Sequence, residues 1–323
     1  MDFVLSIDTE ADNQWNPGCD ISLENIKFIP RFQNLCNKYH IRPTYLVTSE
    51  VCNDNFAKDL LSEYFSLNVA EVGAHLHSWT TPPFQDKDGF RFNDRNHAFI
   101  TELPVEIMNE KVRILTDQIE TSFGIHPKSF RSGRYGFDEN VAKSLIENSY
   151  IVDSSVTPYT NWSTHPGIPG GVGGPDFLDK KPWTYKYHFD NGTLVEIPIT
   201  ILPTEFPLNK SDRLAEYYFR NVNGSIPLKV LRKLIFRNQP LWFRPFNWMN
   251  IALLDELVGE SIKKQLPVIV MMFHSSELMP GSSKNFPDEK AIENLYALLE
   301  EFFILLQEKS ISSVTLTEAA NKL

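Results

Sequence analysis

Short apolar segments alternate with amphipathic helical patterns along most of the chain, and a polar residue follows each apolar segment. Residues 3–7 form a mostly apolar run that ends at Asp8 and Glu10. The next apolar runs are residues 43–47 and 69–74, and helical patterns separate them. This alternation is typical of an α/β protein with a parallel sheet, because parallel strands need crossover helices between them.

The same alternation of strand and helix patterns returns near the C-terminus, after a long interruption. Residues 267–273 predict a strand that ends at His274, and a helical pattern follows over residues 289–307. Residues 156–182 are rich in glycine and proline and predict a long ordered loop. We therefore expect one domain over residues 1–323, a distorted (β/α) barrel of about seven strands, with a substrate-loop insertion at about 156–245.

The composition argues against a nucleic-acid partner and a membrane span. The chain has 31 basic and 41 acidic residues and a formal charge of -10, whereas binding to phosphates needs excess Lys and Arg. No window reaches the roughly 18 apolar residues of a transmembrane helix, and the first residues do not resemble a secretory signal. Cys19, Cys36 and Cys52 are widely spaced and predict no disulfide framework. We expect a cytoplasmic protein, and its oligomeric state stays open.

Four predicted strand ends carry polar groups that a barrel brings to one rim: Asp8 with Glu10, His75 with His77, Arg131, and His274. Asp8 and Glu10 are two residues apart, so their side chains point the same way on an extended chain. His75 and His77 repeat that spacing. Two carboxylates beside two imidazoles fit a site for Zn²⁺ or another divalent transition ion. The alternative is a buried, hydrogen-bonded pair of a histidine and an acid.

Histidines and tryptophans elsewhere give weaker signals. The remaining histidines lack this spacing, and we assign them surface or packing positions: His40, His97, His126, His165 and His188. Six tryptophans occur in the chain. Several of them lie in predicted loops, where aromatic faces either stack on sugar rings or pack the loop itself.

Five short segments, in this order, resemble the motifs of the NodB-homology polysaccharide deacetylases, which form carbohydrate esterase family 4. They are residues 6–10 (SIDTE), 71–75 (EVGAH), 130–136 (FRSGRYG), 152–155 (VDSS) and 272–274 (MFH). Residues 314–318 (VTLTE) are similar to the last strand and helix of that family. The WalW-like subgroup, associated with bacterial surface-polysaccharide genes, is the most similar. The resemblance spans nearly the whole chain outside about 156–245, and it implies a barrel of the polysaccharide-deacetylase type.

The resemblance also implies a role for each motif residue. Asp8 is the expected general base, Arg131 orients and charges it, and His274, held by Asp153, is the expected general acid. Glu10 and His75 are expected to bind one divalent metal ion, with Zn²⁺ the first expectation. The expected substrate-binding residues are Arg134, Tyr135, Trp79 and Arg244.

The sequence departs from the family pattern at three places. Asp8 and Glu10 are separated by one residue where the family has adjacent aspartates, so the identity of the carboxylate ligand stays open. Trp79 stands four residues after His75, where the family has its second histidine, and an indole N–H cannot bind a metal. His77 is the nearest substitute, and we predict it to be a ligand. The third motif lacks its proline, and we expect Arg134 to reach a substrate carboxylate or phosphate instead.

The function implied by the resemblance is that of a metal-dependent hydrolase. It would remove an N-acyl group, in the simplest case N-acetyl, from an amino sugar in cell-surface polysaccharide or lipopolysaccharide biosynthesis. One alternative is an amidase that acts on a small non-sugar amide or a cyclic imide. Another is a metal-free carbohydrate-binding relative, which the Trp79 replacement suggests. Asp8, Arg131 and His274 disfavour the binder, because binding alone needs no base, charge partner and acid.

Overall fold

A computed structural model describes residues 1–14, 20–85, 97–165, 167–221 and 240–323 of the chain. The strands are β1 Asp2–Thr9, β2 Thr44–Val47, β3 Glu71–Leu76, β4 Ser129–Ser132, β5 Val152–Asp153, β6 Tyr185–Phe189, β7 Gly192–Glu196, β8 Ile201–Leu202, β9 Leu241–Trp242, β10 Val268–His274 and β11 Ser312–Ser313. The α-helices are α1 Ile29–Lys38, α2 Ser49–Cys52, α3 Asn55–Ser66, α4 Val105–Phe123, α5 Glu139–Glu147, α6 Asp212–Asn221, α7 Ile251–Lys263, α8 Glu289–Glu308 and α9 Leu316–Asn321.

The main sheet has the strand order β10-β1-β2-β3-β4-β5-β7-β6, with β11 beside β1. The seven strands from β10 to β7 pair in parallel, and β6 joins β7 as an antiparallel edge strand. The chain after β7 crosses to the other end of the sheet, where the Thr200 N–H donates to the Val270 carbonyl at 3.2 Å. The Met272 N–H donates to the Phe243 carbonyl at 3.2 Å in the same region. The predicted distorted (β/α) barrel of about seven strands is confirmed.

The central strands are apolar on both faces because side chains from the helices and from the barrel interior cover them. Every residue of β1 from Phe3 to Thr9 is buried. On the outside, Phe302 of α8 packs edge-to-face against Phe3 at 5.4 Å between ring centroids. Helix α4 ends as its sequence predicts, with Gly124 at a left-handed φ of 66°. No helix in the described ranges is long and apolar enough to cross a membrane.

The predicted insertion at about 156–245 contains the β6–β7 hairpin, the small β8–β9 sheet and α6. Its first part, residues 156–182, is irregular as predicted wherever the structure describes it. The sequence does not predict β6. Along this edge strand, half-buried aromatic residues alternate with exposed Lys186 and His188, so it lacks an apolar run.

Candidate active site

Sheet register brings the polar strand ends to one rim. Asp8 is directly opposite His274 in the β1–β10 pair, and His75 is opposite Arg131 in the β3–β4 pair. The side chains surround a cavity of about 310 Å³. The residues that line it are Asp8, His75, His77, Ser132, Arg134, Tyr135, Trp162, His165, Arg244 and His274. Four strands distant in sequence therefore contribute to one cavity, as expected from the parallel arrangement.

The Arg131 guanidinium is fully buried and holds Asp8. Its Nη1 donates to Asp8 Oδ1 at 2.6 Å, and its Nη2 donates to the hydroxyls of Ser6 at 2.8 Å and Ser154 at 3.0 Å. Burial opposes ionisation of Asp8, but the charges of Arg131, His75 and His274 outweigh it and lower the pKa of this carboxyl. Asp8 is therefore a carboxylate at neutral pH, with one oxygen committed to Arg131.

Glu10, His75 and His77 form a buried group whose donor atoms all lie within 4.8 Å of one another. Glu10 Oε2 is 2.7 Å from His77 Nε2 and 3.6 Å from His75 Nε2. One carboxylate oxygen and two imidazole nitrogens are a common ligand set for catalytic zinc, which keeps a fourth position open. The structure thus places His77, rather than Trp79, beside Glu10 and His75.

The hydrogen bond at the far side of His75 fits metal binding. His75 Nδ1 is 3.0 Å from the Arg131 carbonyl oxygen. A carbonyl can only accept, so Nδ1 carries the proton and Nε2 presents its lone pair to the carboxylates. Metal-binding histidines almost always have such a partner on the second nitrogen, which fixes the tautomer. The residues present therefore fit a divalent cation.

The ionisation states within this group also favour a cation. Burial opposes the charge on Glu10, yet His274, His75 and His77 lower its pKa well below the usual range. Burial lowers the pKa of His77 to about 4. Burial acts in the same direction on His75, but Asp8 and Glu10 outweigh it and raise the pKa of His75 above its ordinary value. At neutral pH Glu10 is charged and His77 is neutral, as metal ligands must be.

His274 is opposite Asp8. It also contacts Arg244 and Glu277, and the sequence does not predict these two contacts. Its Nε2 is 4.0 Å from Asp8 Oδ2 and 3.9 Å from Glu10 Oε1. Its Nδ1 lies 2.9 Å from Arg244 Nη2 and 3.5 Å from Glu277 Oε2. Arg244 can donate to Nδ1 of a neutral ring, and Glu277 can accept from Nδ1 of a protonated one. Nε2 is directed to the cavity in both states.

Asp153 does not contact His274, although both residues lie in the described part of the chain, and the expectation that Asp153 holds His274 is wrong. Asp153 accepts hydrogen bonds from the Ser155 N–H at 2.8 Å and from the Ser155 hydroxyl at 2.7 Å. It is opposite Glu196 in the β5–β7 pair. Burial, together with the nearby Asp153 charge, raises the pKa of Glu196 well above its usual value, so this pair keeps a proton. His274, at the end of β10, lies beside Glu277 instead.

Three of the four predicted substrate-binding residues line the cavity, and Trp79 does not. Arg134, Tyr135 and Arg244 belong to the lining. Within the described chain, Trp79 lies behind the metal group, with its ring 4.3 Å from the His77 ring. The indole is displaced because the chain turns after His77, whose carbonyl accepts from the Thr81 N–H at 3.1 Å. Trp79 therefore does not line the cavity, contrary to the prediction that it binds substrate there.

Arg134 and Tyr135 both adopt left-handed backbone angles, with φ of 54° and 61°. Two such residues in succession without glycine are unusual and often occur at functional sites. The Arg134 guanidinium lies 3.9 Å over the Phe99 ring and donates to the His97 carbonyl. This conformation carries the Arg134 side chain and the Tyr135 ring to adjacent parts of the cavity wall.

Trp162, His165 and Ser132 also line the cavity, which the sequence does not predict. Trp162 lies beside Tyr135, with ring centroids 5.2 Å apart. Trp162 and His165 come from the irregular loop, where no periodic pattern reports which side chain points inward. Glu277 is different, because the spacing His274-Ser275-Ser276-Glu277 resembles a capping box and gives a local signal for this contact.

No protein-family model and no curated protein sequence matches the chain. Among solved structures, 4-α-glucanotransferase from Thermococcus litoralis is similar over 100% of this chain and 38% of that chain, with 14% identity and a TM-score of 0.51. The present chain thus spans little more than a third of that protein. The allantoinase PuuE is similar over 99% of this chain and 88% of that chain, with 13% identity and a TM-score of 0.50.

A putative polysaccharide deacetylase from Mycobacterium smegmatis is similar over 97% of this chain and 93% of that chain, with 11% identity and a TM-score of 0.47. At these identities the similarity shows the fold alone. Membership of the WalW-like subgroup remains a prediction. At the level of the fold, the solved structures similar to this chain include polysaccharide deacetylases of carbohydrate esterase family 4, the family that its motifs resemble.

Proposed function

We propose that the protein is a metal-dependent hydrolase that removes an N-acyl group, in the simplest case N-acetyl, from an amino sugar of cell-surface polysaccharide or lipopolysaccharide biosynthesis. The observation that supports this most strongly is that Asp8 and His274 both lie beside the group formed by Glu10, His75 and His77. Asp8 Oδ2 is 4.0 Å from His274 Nε2, and Glu10 lies next to both. A charged base, an acid and a cation site at one rim suit amide hydrolysis better than binding alone.

A divalent ion, with Zn²⁺ as the first expectation, would be held by Glu10, His75 and His77 and would supply Lewis acidity to the acyl carbonyl and to a water molecule. Asp8 removes a proton from the attacking water through the carboxylate oxygen that Arg131 leaves available. We propose that backbone N–H groups near Tyr135 stabilise the developing oxyanion.

His274 completes the reaction by protonating the leaving amine. In the protonated ring, Nδ1–H forms an ion pair with Glu277 Oε2, 3.5 Å away, and Nε2–H remains for the amine. Arg244 donates to Glu277 at 2.9 Å and thereby limits the negative charge beside the ring. We propose Glu277 and Arg244, in place of Asp153, as the groups that orient His274.

Aromatic side chains support an amino-sugar substrate. The Tyr135, Trp162 and Trp242 rings lie within 5.2 to 6.4 Å of one another, centroid to centroid. Such rings commonly contact the faces of sugars, and a cavity of about 310 Å³ is at the small end for ligand pockets. Arg134 is proposed to bind a carboxylate or phosphate on the same substrate. The buried free thiols of Cys36 and Cys52 are consistent with a reducing compartment such as the cytoplasm.

The experiment that tests the function measures acetate release from N-acetylated amino sugars, free and carried on glycan precursors, by zinc-loaded protein. We expect release that a chelator abolishes and that Zn²⁺ restores. A panel of small cyclic imides and simple amides is run in parallel. Cleavage of that panel with no release from any amino sugar favours the amidase instead. Sugar binding by a protein that retains no metal and releases no acetate identifies a carbohydrate-binding relative.

A further inference from the structure

A buried lysine lies behind the turn that follows β3, the strand that carries His75. Lys111 is in the middle of α4 and its side chain is fully buried. Its Nζ donates to the carbonyl oxygens of Ser78 at 2.8 Å and Pro83 at 2.7 Å, and also to that of Thr81. All three ammonium protons therefore have a backbone acceptor, and all three acceptors belong to residues 78–83.

Lys111 forms no ion pair with the residues that the structure describes. No carboxylate there lies within 4.0 Å of its Nζ, and its described neighbours are the three carbonyls and the Phe84 ring, whose centroid is 5.5 Å from Nζ. Burial lowers the pKa of Lys111 to about 7, which shows that the site disfavours the charge. A methionine of similar length would avoid that penalty, but it would leave three buried carbonyls without this donor. What the lysine adds is a fixed conformation of the turn.

The turn begins at His77, so its conformation sets the place of that imidazole. The His77 carbonyl accepts from the N–H groups of Thr81 at 3.1 Å and Thr80 at 3.4 Å. On its other side, His77 directs Nε2 to Glu10 Oε2 at 2.7 Å. A change in the turn therefore moves the ring relative to Glu10, and hydrogen-bonded supports of this kind commonly control metal affinity.

We propose that Lys111 is a positioning residue for the metal site, which holds the 78–83 turn through three backbone carbonyls and so keeps His77 in place beside Glu10 and His75. This inference rests on the proposed metal-dependent function. It assigns to helix α4, which contributes no residue to the cavity lining, a part in binding the ion.

The test compares Lys111→Met with Leu115→Ala in the otherwise intact protein. Leu115 is fully buried one turn further along α4, so its truncation weakens the same helix without touching the 78–83 carbonyls. Two quantities are measured for each variant: the Kd for Zn²⁺, by competition with a chelator, and the unfolding midpoint of the metal-free protein. Activity is not needed for either measurement.

We expect Lys111→Met to bind Zn²⁺ about tenfold more weakly, the lower end of the range for direct partners of metal ligands, because Lys111 acts on His77 through the turn. Leu115→Ala should keep the wild-type Kd even if its unfolding midpoint falls as far. Lys111→Arg, which retains charged donors, should lie between Lys111→Met and the wild type. If Lys111→Met does not fold, Lys111→Gln takes its place, because the amide retains two of the donors.

A wild-type Kd in the folded lysine variant overturns the positioning role and leaves the proposed function intact. Equal weakening of zinc binding by Leu115→Ala also overturns it, since α4 would then act only through general stability. A wild-type protein that binds no divalent ion overturns both the positioning role and the proposed function.

Discussion

Arg131 Nη1 donates to Asp8 Oδ1 at 2.6 Å, while Oδ2 of the same carboxylate is 4.0 Å from Nε2 of His274. The arginine is always charged and has no access to solvent. One Asp8 oxygen thus anchors the side chain and the other remains for chemistry. A carboxylate held in this way stays ionised in a buried site, which is the state that a general base needs.

Asp8→Asn should lower kcat by about 10²-fold or more, because the amide cannot accept a proton from water. The amide oxygen can still accept from Arg131, so the fold should persist. The matched control is Asp2→Asn at the other end of β1, where the carboxylate forms a surface ion pair with Lys322 at 2.7 Å. Turnover is measured on the substrate that the wild type cleaves. Wild-type kcat in Asp8→Asn would remove Asp8 from the mechanism.

His77→Ala should lose bound metal as completely as His75→Ala, because both rings present Nε2 to Glu10. Trp79→Phe should retain the ion, since the indole lies behind His77 and offers no donor atom to a metal. Elemental analysis of the three purified variants, each with its metal-to-chain ratio, decides between these ligand sets. One ion per chain in His77→Ala would mean that a different side chain completes the site.

Gly133→Ala should weaken zinc binding although Gly133 offers no ligand. A methyl group at this position would lie 2.3 Å from His77 Nδ1 and 2.8 Å from the Leu76 carbonyl oxygen, so the ring must move. Gly259→Ala in α7 is the control, because a methyl group there meets nothing within 4 Å. That control should stabilise the protein by up to about 1 kcal/mol through helix propensity. The Kd for Zn²⁺ and thermal unfolding are measured for both, and equal zinc affinities would contradict the packing argument.

Zinc affinity should fall as the pH is lowered below the raised pKa of His75, because protons compete with the metal for this ring. Asp8 and Glu10 hold the pKa of His75 above its ordinary value despite burial. Below that raised pKa the ring must lose a proton to bind the ion, so affinity should fall about tenfold per pH unit. His77, with its pKa lowered to about 4, adds no competing proton in this range. Chelator competition between pH 6 and 9 measures the slope, and a flat profile would exclude His75 as the competing ligand.

Glu277→Gln should lower kcat by at least about tenfold, because the charged acceptor for protonated His274 is lost. Asp153→Asn should retain near wild-type kcat, since Asp153 contacts Ser155 and pairs with Glu196 instead. Steady-state kinetics and thermal unfolding of both variants separate catalysis from folding. The reverse order, with Asp153→Asn the slower enzyme, would restore Asp153 to the role of supporting the acid.

The sequence predicts the fold and the rim because both depend on local patterns. Apolar runs define the central strands, and polar residues at their ends define Asp8, His75, Arg131 and His274. Parallel pairing then forces these ends together, and the register Asp8–His274 and His75–Arg131 follows. Nothing beyond strand order and alternation is needed for this part of the site.

Contacts made by irregular backbone are not predictable in the same way. Trp162 and His165 reach the cavity through a loop whose path depends on tertiary packing, and no periodic signal marks them. Asp153 lies at a strand end as predicted, but it pairs with Glu196 of the neighbouring strand β7 and not with His274. Glu277 had a local signal in its spacing from His274, because a 3₁₀ turn at Ser275–Leu278 brings the side chain back to the strand end.

The pairing of β1 with β10 has a consequence for the order in which the protein is built on the ribosome. β1 emerges long before its partner on one side, Val268–His274. Until that late segment arrives, a buried apolar strand has an open edge that other chains can join. Native pairing over this sequence distance is also slow, because it closes a very long loop. We therefore expect nascent chains that stop before residue 268 to need chaperones. They should also lack activity because His274 is missing, although Asp8, Glu10, His75, His77 and Arg131 are already present.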